Sequence, residues 1–248
     1  MKIGIISAMK EEIQAILNVL EVRKKSTKGM RTYFEGTLFG KEVVIVFSRW
    51  GKVASATTVT QLLNDFKIQE IIFTGVAGAI QPEVSIGDII IGEELYQHDL
   101  DGSPLVDTYE VPLLGLRSFT TNHENRIKLK RACEDFFDHI HNYLDHDKLV
   151  QFKISKPNIH IGAIASGDQF ISRKEQISSI LSGLPQVKCV EMEGAAVAQV
   201  CYEYNIPYSI IRTISDNANQ NAHVDFPKFA HEVASIYARA VLENYLKV

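Results

Sequence analysis

The sequence predicts an α/β protein whose central, largely parallel sheet is flanked by helices. Short β-branched runs alternate along the chain with segments in which apolar residues recur at helical spacing. No internal repeat, low-complexity tract or Pro/Gly/Ser-rich linker separates one part of the chain from another. A chain of 248 residues that is 46% hydrophobic has enough apolar side chains for a large core, so we expect one domain over residues 1–248.

Strands are predicted where short runs are apolar or alternate between apolar and polar residues. Residues 32–38 and 41–47 alternate on either side of Phe39-Gly40, which indicates a β-hairpin. The remaining apolar runs are expected to be buried strands of the central sheet. They are residues 2–6, 70–74, 88–92, 160–165 and 208–214.

Helices are predicted where apolar residues share one face, as Ile13, Ile16 and Leu20 do within residues 11–20. Asn122 is the expected N-cap of a helix over residues 122–137. Residues 98–118 show neither the alternation of a strand nor the apolar spacing of a helix. A long irregular segment in a compact domain is usually functional or lies at an interface. The other expected helices cover residues 52–63, 194–204 and 226–246.

Charge and cysteine content argue against several classes of protein. The formal net charge of −4 provides no basic field for a phosphate backbone, so we expect no nucleic-acid partner. Three cysteines without a Cys-x-x-Cys or Cys/His metal spacing predict reduced thiols and no metal site. The N-terminal apolar run is too short for a signal peptide and no run is long enough to cross a bilayer, so we expect a cytoplasmic protein with no membrane partner.

Polar side chains follow several predicted strands, and ligands in open α/β sheets bind beyond the carboxyl ends of the strands. Taken singly, most of these residues have a structural explanation: Glu12 suits the first turn of a helix, Phe170 a core, and Asp216 a helix cap. Glu191-Met192-Glu193 is harder to explain, because two carboxylates lie between an apolar strand and a small-residue helix. The segments expected to converge are 9–12, 75–78, 166–170, 189–194 and 212–216.

Seven segments, in the same order and over nearly the whole chain, resemble the bacterial 5′-methylthioadenosine/S-adenosylhomocysteine nucleosidases of the nucleoside phosphorylase superfamily. The resemblance implies a single-domain, three-layer α/β fold around a central mixed, barrel-like sheet flanked by helices, which amends the largely parallel sheet predicted above. The segments are Met1-Lys2-Ile3-Gly4-Ile5-Ile6-Ser7-Ala8-Met9-Lys10-Glu11-Glu12, Gly51-Lys52-Val53-Ala54, Thr74-Gly75-Val76-Ala77-Gly78, Gly87-Asp88-Ile89, Ser166-Gly167-Asp168-Gln169-Phe170-Ile171, Val190-Glu191-Met192-Glu193-Gly194-Ala195-Ala196 and Arg212-Thr213-Ile214-Ser215-Asp216.

The resemblance implies an enzyme that hydrolyses the N-glycosidic bond of 5′-methylthioadenosine and S-adenosylhomocysteine and releases adenine. Asp216 would be the acid at adenine N7, held by Ser215 and Arg212, and this role predicts a pKa raised by burial. Glu193 would bind the ribose 2′- and 3′-hydroxyls near the developing positive charge, and Glu12 would be the general base for water.

Other residues are expected by resemblance to bind the substrate. Phe170 would stack on the adenine, and the backbone of Ile171 would read its edge. Val76 stands where the family commonly has a serine, and Trp50 is bulkier than the small aliphatic residue expected there, which predicts a reshaped ribose and 5′ side. The residues assigned to the pocket for the 5′ group are Met9, Trp50, Met192 and Phe226, and Val76 and Glu191 are the remaining substrate-binding candidates.

The resemblance also implies a homodimer in which residues 98–112 of the partner lie near the site, and a reaction that requires no metal and no organic cofactor. Within this segment the chain follows the family pattern only at its His98-Asp99 start. Three alternatives remain at this point: a purine nucleoside phosphorylase, a nucleosidase for another adenine nucleoside (a futalosine-type compound or adenosine), and a non-catalytic nucleoside-binding module. Glu11 and Glu12 would repel a phosphate ion, which favours hydrolysis, and three converging carboxylates are more than binding alone requires.

Overall fold

The computed structural model describes residues 1–218 and 222–247, and for residues 222–225 the backbone alone. The predicted span of 1–248 also takes in residues 219–221 and 248, which lie outside this description. Within the described residues, ten strands form one sheet. In chain order they are β1 (Lys2–Ser7), β2 (Glu21–Lys28), β3 (Arg31–Leu38), β4 (Lys41–Phe47), β5 (Glu70–Ala79), β6 (Ile89–Gln97), β7 (Phe119–Thr120), β8 (Ile159–Ser166), β9 (Val187–Glu191) and β10 (Tyr208–Asp216).

Five of these strands close into a mixed barrel. β10 pairs with β5 in parallel and with β6 antiparallel. β6, β8 and β9 continue in parallel, and β9 pairs antiparallel with β5 to complete the ring. The mixed, barrel-like sheet implied by the family resemblance is therefore confirmed. The largely parallel sheet predicted from the alternation alone is wrong, because strand order along the chain does not fix the direction of β6 against β10.

The other strands extend the sheet outwards from β5. β1 pairs in parallel with β5 and β4, and β4 leads through β3 to the edge strand β2. The predicted hairpin of β3 and β4 is confirmed, and its turn residues Phe39 and Gly40 have φ angles of 47° and 79°, the positive values that match the twist of a two-stranded ribbon. β2 was not predicted, because its charged, largely exposed sequence has no apolar period and is typical of a protected sheet edge.

Helices cover both faces of the sheet, which gives three layers. Successive residues of β1 show the division: Ile5 belongs to the core cluster under one helical layer, and Ile6 belongs to the cluster under the other, because side chains alternate across a strand. One layer contains α1, α3 and α8, and the other contains α2 and α6. Within the described residues the helices are α1 (Lys10–Leu17), α2 (Lys52–Phe66), α3 (His123–Asp138), α4 (His146–Gln151), α5 (Lys174–Gly183), α6 (Gly194–Glu203), α7 (Ala222–Phe229) and α8 (Ser235–Lys247).

Two predicted segments show where sequence periodicity succeeds and where it fails. The N-cap of α3 is confirmed, because the Asn122 side chain accepts a hydrogen bond from the Asn125 amide at 3.0 Å. The single helix predicted over residues 226–246 is instead α7, a π-helical segment (Ala230–Ala234) and α8. Apolar spacing cannot reveal this change of pitch. In the part of the chain described here, no helix has the length and apolar character needed to span a bilayer.

Candidate active site

An open pocket lies at the carboxyl ends of β1, β5, β8, β9 and β10, where the sequence predicted that functional side chains converge. It has a volume of about 610 Å³, its open mouth included. Of the predicted site residues, all but Arg212 line this pocket. They are Met9, Glu12, Trp50, Val76, Phe170, Ile171, Glu191, Met192, Glu193, Ser215, Asp216 and Phe226.

Glu12 lies in the first turn of α1 and is only 3% exposed. Its carboxylate accepts hydrogen bonds from the Ser7 hydroxyl, the Met9 amide (2.9 Å) and the Val76 amide (3.0 Å). Burial raises the pKa of Glu12, although Ser7 and the two amides favour the charged form. A buried carboxyl with a raised pKa and fixed donors is suited to accept a proton near neutral pH.

Glu191 and Arg212 form a buried ion pair beneath the pocket. The Arg212 Nη2 atom lies 2.6 Å from Glu191 Oε2, and the two side chains are 1% and 3% exposed. Glu191 also accepts hydrogen bonds from the Ser166 hydroxyl and from the amides of Glu193 and Gly194. Arg212 thus lies behind the pocket wall next to Glu191, whereas the sequence had assigned it to holding Asp216.

Glu193 follows directly from this anchored turn and precedes α6. Its Oε1 atom accepts a hydrogen bond from the Gly51 amide at 2.8 Å. Burial, reinforced by the nearby charge of Glu191, raises the pKa of Glu193 to about 8. Gly51 has a φ of 92°, and a Cβ atom there would lie 2.8 Å from Asp168 Oδ1, so this donor position requires glycine.

Asp216 ends β10 on another side of the pocket and is 7% exposed. The Ser215 hydroxyl donates to its Oδ2 atom at 2.7 Å, and the Ala218 amide donates to its Oδ1 atom at 2.7 Å. Both of its oxygens are therefore fixed in orientation by neighbours in the chain. Ser215 has the contact with Asp216 that the sequence predicted.

Three aromatic rings line the mouth of the pocket. Phe226 is in edge-to-face contact with Trp50 (ring centroids 6.3 Å apart) and with Phe170 (6.4 Å). Trp50 and Phe170 remain 57% and 45% exposed. Phe170 is therefore a pocket-wall residue rather than the core residue that its type alone would suggest, and its ring is open to stack on a flat ligand.

The predicted strand over residues 70–74 ends before Gly75 and Gly78, whereas the observed strand continues through them. Both lie within β5. A Cβ atom at Gly75 would lie 2.9 Å from Glu12 Oε1, and one at Gly78 would lie 3.0 Å from Asp216 Oδ1. The two glycines therefore leave space for two carboxylates, and their spacing of three residues was the available signal. Ser7 and Ser166, the hydroxyl donors to Glu12 and Glu191, were not predicted as site residues, and neither were the lining residues Ala8, Ala77, Gln169 and Val190.

A closed mixed barrel with buried carboxylates around one pocket at the ends of its strands defines an α/β protein with an enzyme-like site, and the comparisons identify the family. The protein-family model described as Phosphorylase superfamily matches residues 2–247. The 5′-methylthioadenosine/S-adenosylhomocysteine nucleosidase of Listeria welshimeri is 36% identical over 98% of both chains. The chain belongs to this family of nucleosidases, which are N-glycosyl hydrolases.

Solved structures give the same result. A Streptococcus pneumoniae 5′-methylthioadenosine/S-adenosylhomocysteine nucleosidase with a transition-state inhibitor superposes with a TM-score of 0.85 at 34% identity, covering 100% of this chain and 99% of that one. A structure described as the futalosine hydrolase of Helicobacter pylori superposes with a TM-score of 0.84 at 30% identity, covering 100% and 98%. The fold is thus shared by enzymes described with two different nucleoside substrates.

Proposed function

We propose that this chain, as a single nucleosidase domain, hydrolyses the N-glycosidic bond of 5′-methylthioadenosine and S-adenosylhomocysteine and releases adenine. The observation that carries the proposal is that Glu12, Glu193 and Asp216, each oriented by fixed donors, line one pocket. Cleavage of this bond makes the ribose cation-like and the base anionic, so it needs a proton donor at the base, negative charge at the sugar and a base for water.

Asp216 acts at the base. In this mechanism its carboxyl donates a proton or hydrogen bond to adenine N7, and the Ser215 hydroxyl, 2.7 Å from Oδ2, holds it in position. Phe170 stacks on the purine ring, and the backbone of Ile171 hydrogen-bonds its edge. Protonation of N7 stabilises the negative charge that the leaving base acquires.

Glu193 and Glu12 act at the sugar. Glu193 accepts hydrogen bonds from the ribose hydroxyls while the Gly51 amide holds its Oε1 atom. Glu12 removes a proton from the attacking water, and its raised pKa makes it a stronger base than an exposed glutamate. Val76 contributes its backbone amide to Glu12 but no side-chain hydroxyl to the sugar. Arg212 acts indirectly, by neutralising Glu191 and so fixing the turn that carries Glu193.

The 5′ substituent lies in the apolar part of the pocket, against Met9, Trp50, Met192 and Phe226. Methionine sulfur and aromatic edges suit an alkylthio group. A second candidate substrate class is a futalosine-type adenine nucleoside with a larger 5′ group. The similarity to a Helicobacter pylori structure described as a futalosine hydrolase supports it, as does the exposed Trp50 ring at the mouth.

Water is the nucleophile in this proposal, rather than phosphate. A phosphorylase binds an anion opposite the base, usually through arginines and backbone amides. Here the same region contains Glu12 and Glu193, and burial already penalises negative charge on both, as their raised pKa values indicate. A phosphate ion would add further negative charge, whereas water adds none.

We also propose that the enzyme is a homodimer in which residues 98–112 of one subunit approach the pocket of the other. This segment and the residues after it carry strongly exposed leucines, with Leu105 at 91% and Leu113 at 103% exposure. Exposed apolar side chains on an irregular segment are typical of an interface. A cytoplasmic location is proposed because Cys133, Cys189 and Cys201 are all free and buried thiols.

The test is release of adenine from 5′-methylthioadenosine in phosphate-free buffer, repeated with added phosphate. We expect equal release in both buffers. Glu12→Gln should lower the rate by about 10²–10⁴-fold, the usual contribution of a general base. Glu11→Gln is the matched control, because Glu11 is exposed in the same helical turn. Release only with phosphate, or equal rates for the two variants, would contradict the mechanism.

A further inference from the structure

Three segments of the chain meet in a closed ring of hydrogen bonds beside the pocket. The Lys52 amide donates to Asp168 Oδ1 at 2.8 Å, and the Asp168 amide donates to Asp99 Oδ2 at 2.8 Å. The Lys52 Nζ atom closes the ring on Asp99 Oδ1 at 2.6 Å. This Lys52–Asp99–Asp168 ring joins the start of α2, the segment after β6 and the loop after β8, which are far apart in sequence.

The ring is more protected than an ordinary surface ion pair. The Lys52 and Asp99 side chains are 17% and 14% exposed, and Lys52 Nζ also donates to Gln97 at 3.1 Å. Burial alone would raise the pKa of Asp99, but the Lys52 ammonium and the Asp168 amide outweigh it, so the pKa lies below its usual value. Asp99 is therefore charged at neutral pH, and its two oxygens hold two different segments.

Two members of the ring, Lys52 and Asp168, lie close in sequence to residues of the proposed mechanism. Gly51, which donates to Glu193 at 2.8 Å, directly precedes Lys52. Phe170 follows Asp168 by two residues and lines the pocket. The ring therefore couples the position of the Gly51 amide, which donates to Glu193, with the position of Phe170, which stacks on the base.

We propose that Lys52 and Asp99 are positioning residues, which hold the base-stacking loop of Asp168 and Phe170 in register with Glu193. The inference rests on the proposed function, since it assigns the two walls of the pocket to base and ribose. Neither residue lines the pocket, so neither acts on the substrate directly. A base-stacking loop that is no longer held in its binding position binds the base less tightly, so the loss of the ring has a measurable effect on affinity.

The kinetic test compares Lys52→Met and Asp99→Ala with the wild type on 5′-methylthioadenosine. We expect KM and the Kd of free adenine to rise by about tenfold, with kcat changed less than about threefold, because the stacking wall acts equally in the ground and transition states. Asp99→Asn keeps an acceptor for the Asp168 amide and should recover part of the loss. Lys2→Met is the matched control, since the Lys2–Glu35 ion pair (2.9 Å; 23% and 19% exposed) lies at the end of β1 that is remote from the pocket.

A second measurement does not depend on activity. Hydrogen exchange of residues 166–171 should be faster in Lys52→Met and Asp99→Ala than in the wild type or Lys2→Met, because the Asp168 amide loses its acceptor or that acceptor's counter-ion. Unchanged exchange, or adenine affinity and KM equal to those of Lys2→Met, would overturn the inference. An inactive wild type would contradict the proposed function instead, and the exchange result would still decide whether the ring holds the loop.

Discussion

Replacing Arg212 by methionine should destabilise this protein severely, because Arg212 neutralises a carboxylate whose side chain is only 3% exposed. The Arg212 guanidinium is 1% exposed, lies 2.6 Å from Glu191 and covers the Phe73 ring at 4.1 Å. It also donates to the backbone carbonyls of Phe73 and Ile211. Methionine occupies a similar volume but leaves Glu191 charged and buried without its cation.

Removing one partner of a buried ion pair costs about 3–5 kcal/mol. For a chain of this size each kcal/mol lowers Tm by about 2–4 °C, so Arg212→Met should melt roughly 6–20 °C below the wild type. The double variant Arg212→Met/Glu191→Gln removes the stranded charge while keeping an acceptor for the Glu193 and Gly194 amides. It should therefore recover at least about half of the lost free energy of unfolding.

Thermal melting at pH 7 measures Tm, and urea denaturation at the same pH measures the free energy of unfolding. The control is Arg23→Met, because the Arg23–Glu42 pair has a similar distance of 2.7 Å but side chains that are 54% and 57% exposed. Its free energy of unfolding should change far less than that of Arg212→Met, because water and salt screen an exposed ion pair. The reasoning is refuted if Arg212→Met is no more destabilising than Arg23→Met, or if the double variant is no more stable than the single one.

Three further predictions concern the Glu193 carboxyl, the Gly51 donor position and the Asn122 helix cap. Because burial raises the pKa of Glu193 from 4.5 to about 8, the folded state keeps a proton that the unfolded chain releases. Its contribution to the free energy of unfolding should therefore fall as pH rises through that window, by up to about 1.4 kcal/mol per pH unit, and Glu193→Gln should remove this slope in urea titrations at pH 5–8. Gly51→Ala should lower both Tm and kcat/KM, since its Cβ atom would lie 2.8 Å from Asp168 Oδ1 at a φ of 92°; wild-type values for both would contradict this. Asn122→Ala should cost about 1 kcal/mol in urea unfolding without changing kcat/KM, because it removes only the cap on the Asn125 amide.

Much of the fold could be predicted because local pattern and tertiary burial agree. The strands over residues 70–74 and 208–214 were found because their side chains are buried in the structure and apolar in the sequence. β2 was not predicted from the sequence, because an edge strand pairs with only one neighbour and needs no apolar face. The residue pattern alone did not predict barrel closure, which came only from the family resemblance, since closure depends on β10 pairing with both β5 and β6, which are not adjacent to it in sequence.

The candidate site was predictable where residue type carries the chemistry and unpredictable where backbone geometry does. Glu12, Glu193 and Asp216 are carboxylates that follow apolar strands, the family resemblance gave them their expected roles, and all three line the pocket. The Gly51 amide that donates to Glu193 has no side chain to reveal it. Arg212 was predicted as a site residue, but its ion pair with Glu191 was not, because Glu191 lies on a different strand.

The raised pKa values of Glu12 and Glu193 bear on how the proposed mechanism gains its rate. Burial makes negative charge on both carboxyls costly in the free enzyme, and the positive field of Arg212 offsets this only in part. A cation-like ribose beside them supplies the missing positive charge, and it does so only as the glycosidic bond breaks. The interaction therefore stabilises the transition state more than the neutral substrate, which is the condition for raising kcat rather than only lowering KM. Phosphate would bring its negative charge into the same field before the cation forms, so this arrangement of charges favours water as the nucleophile.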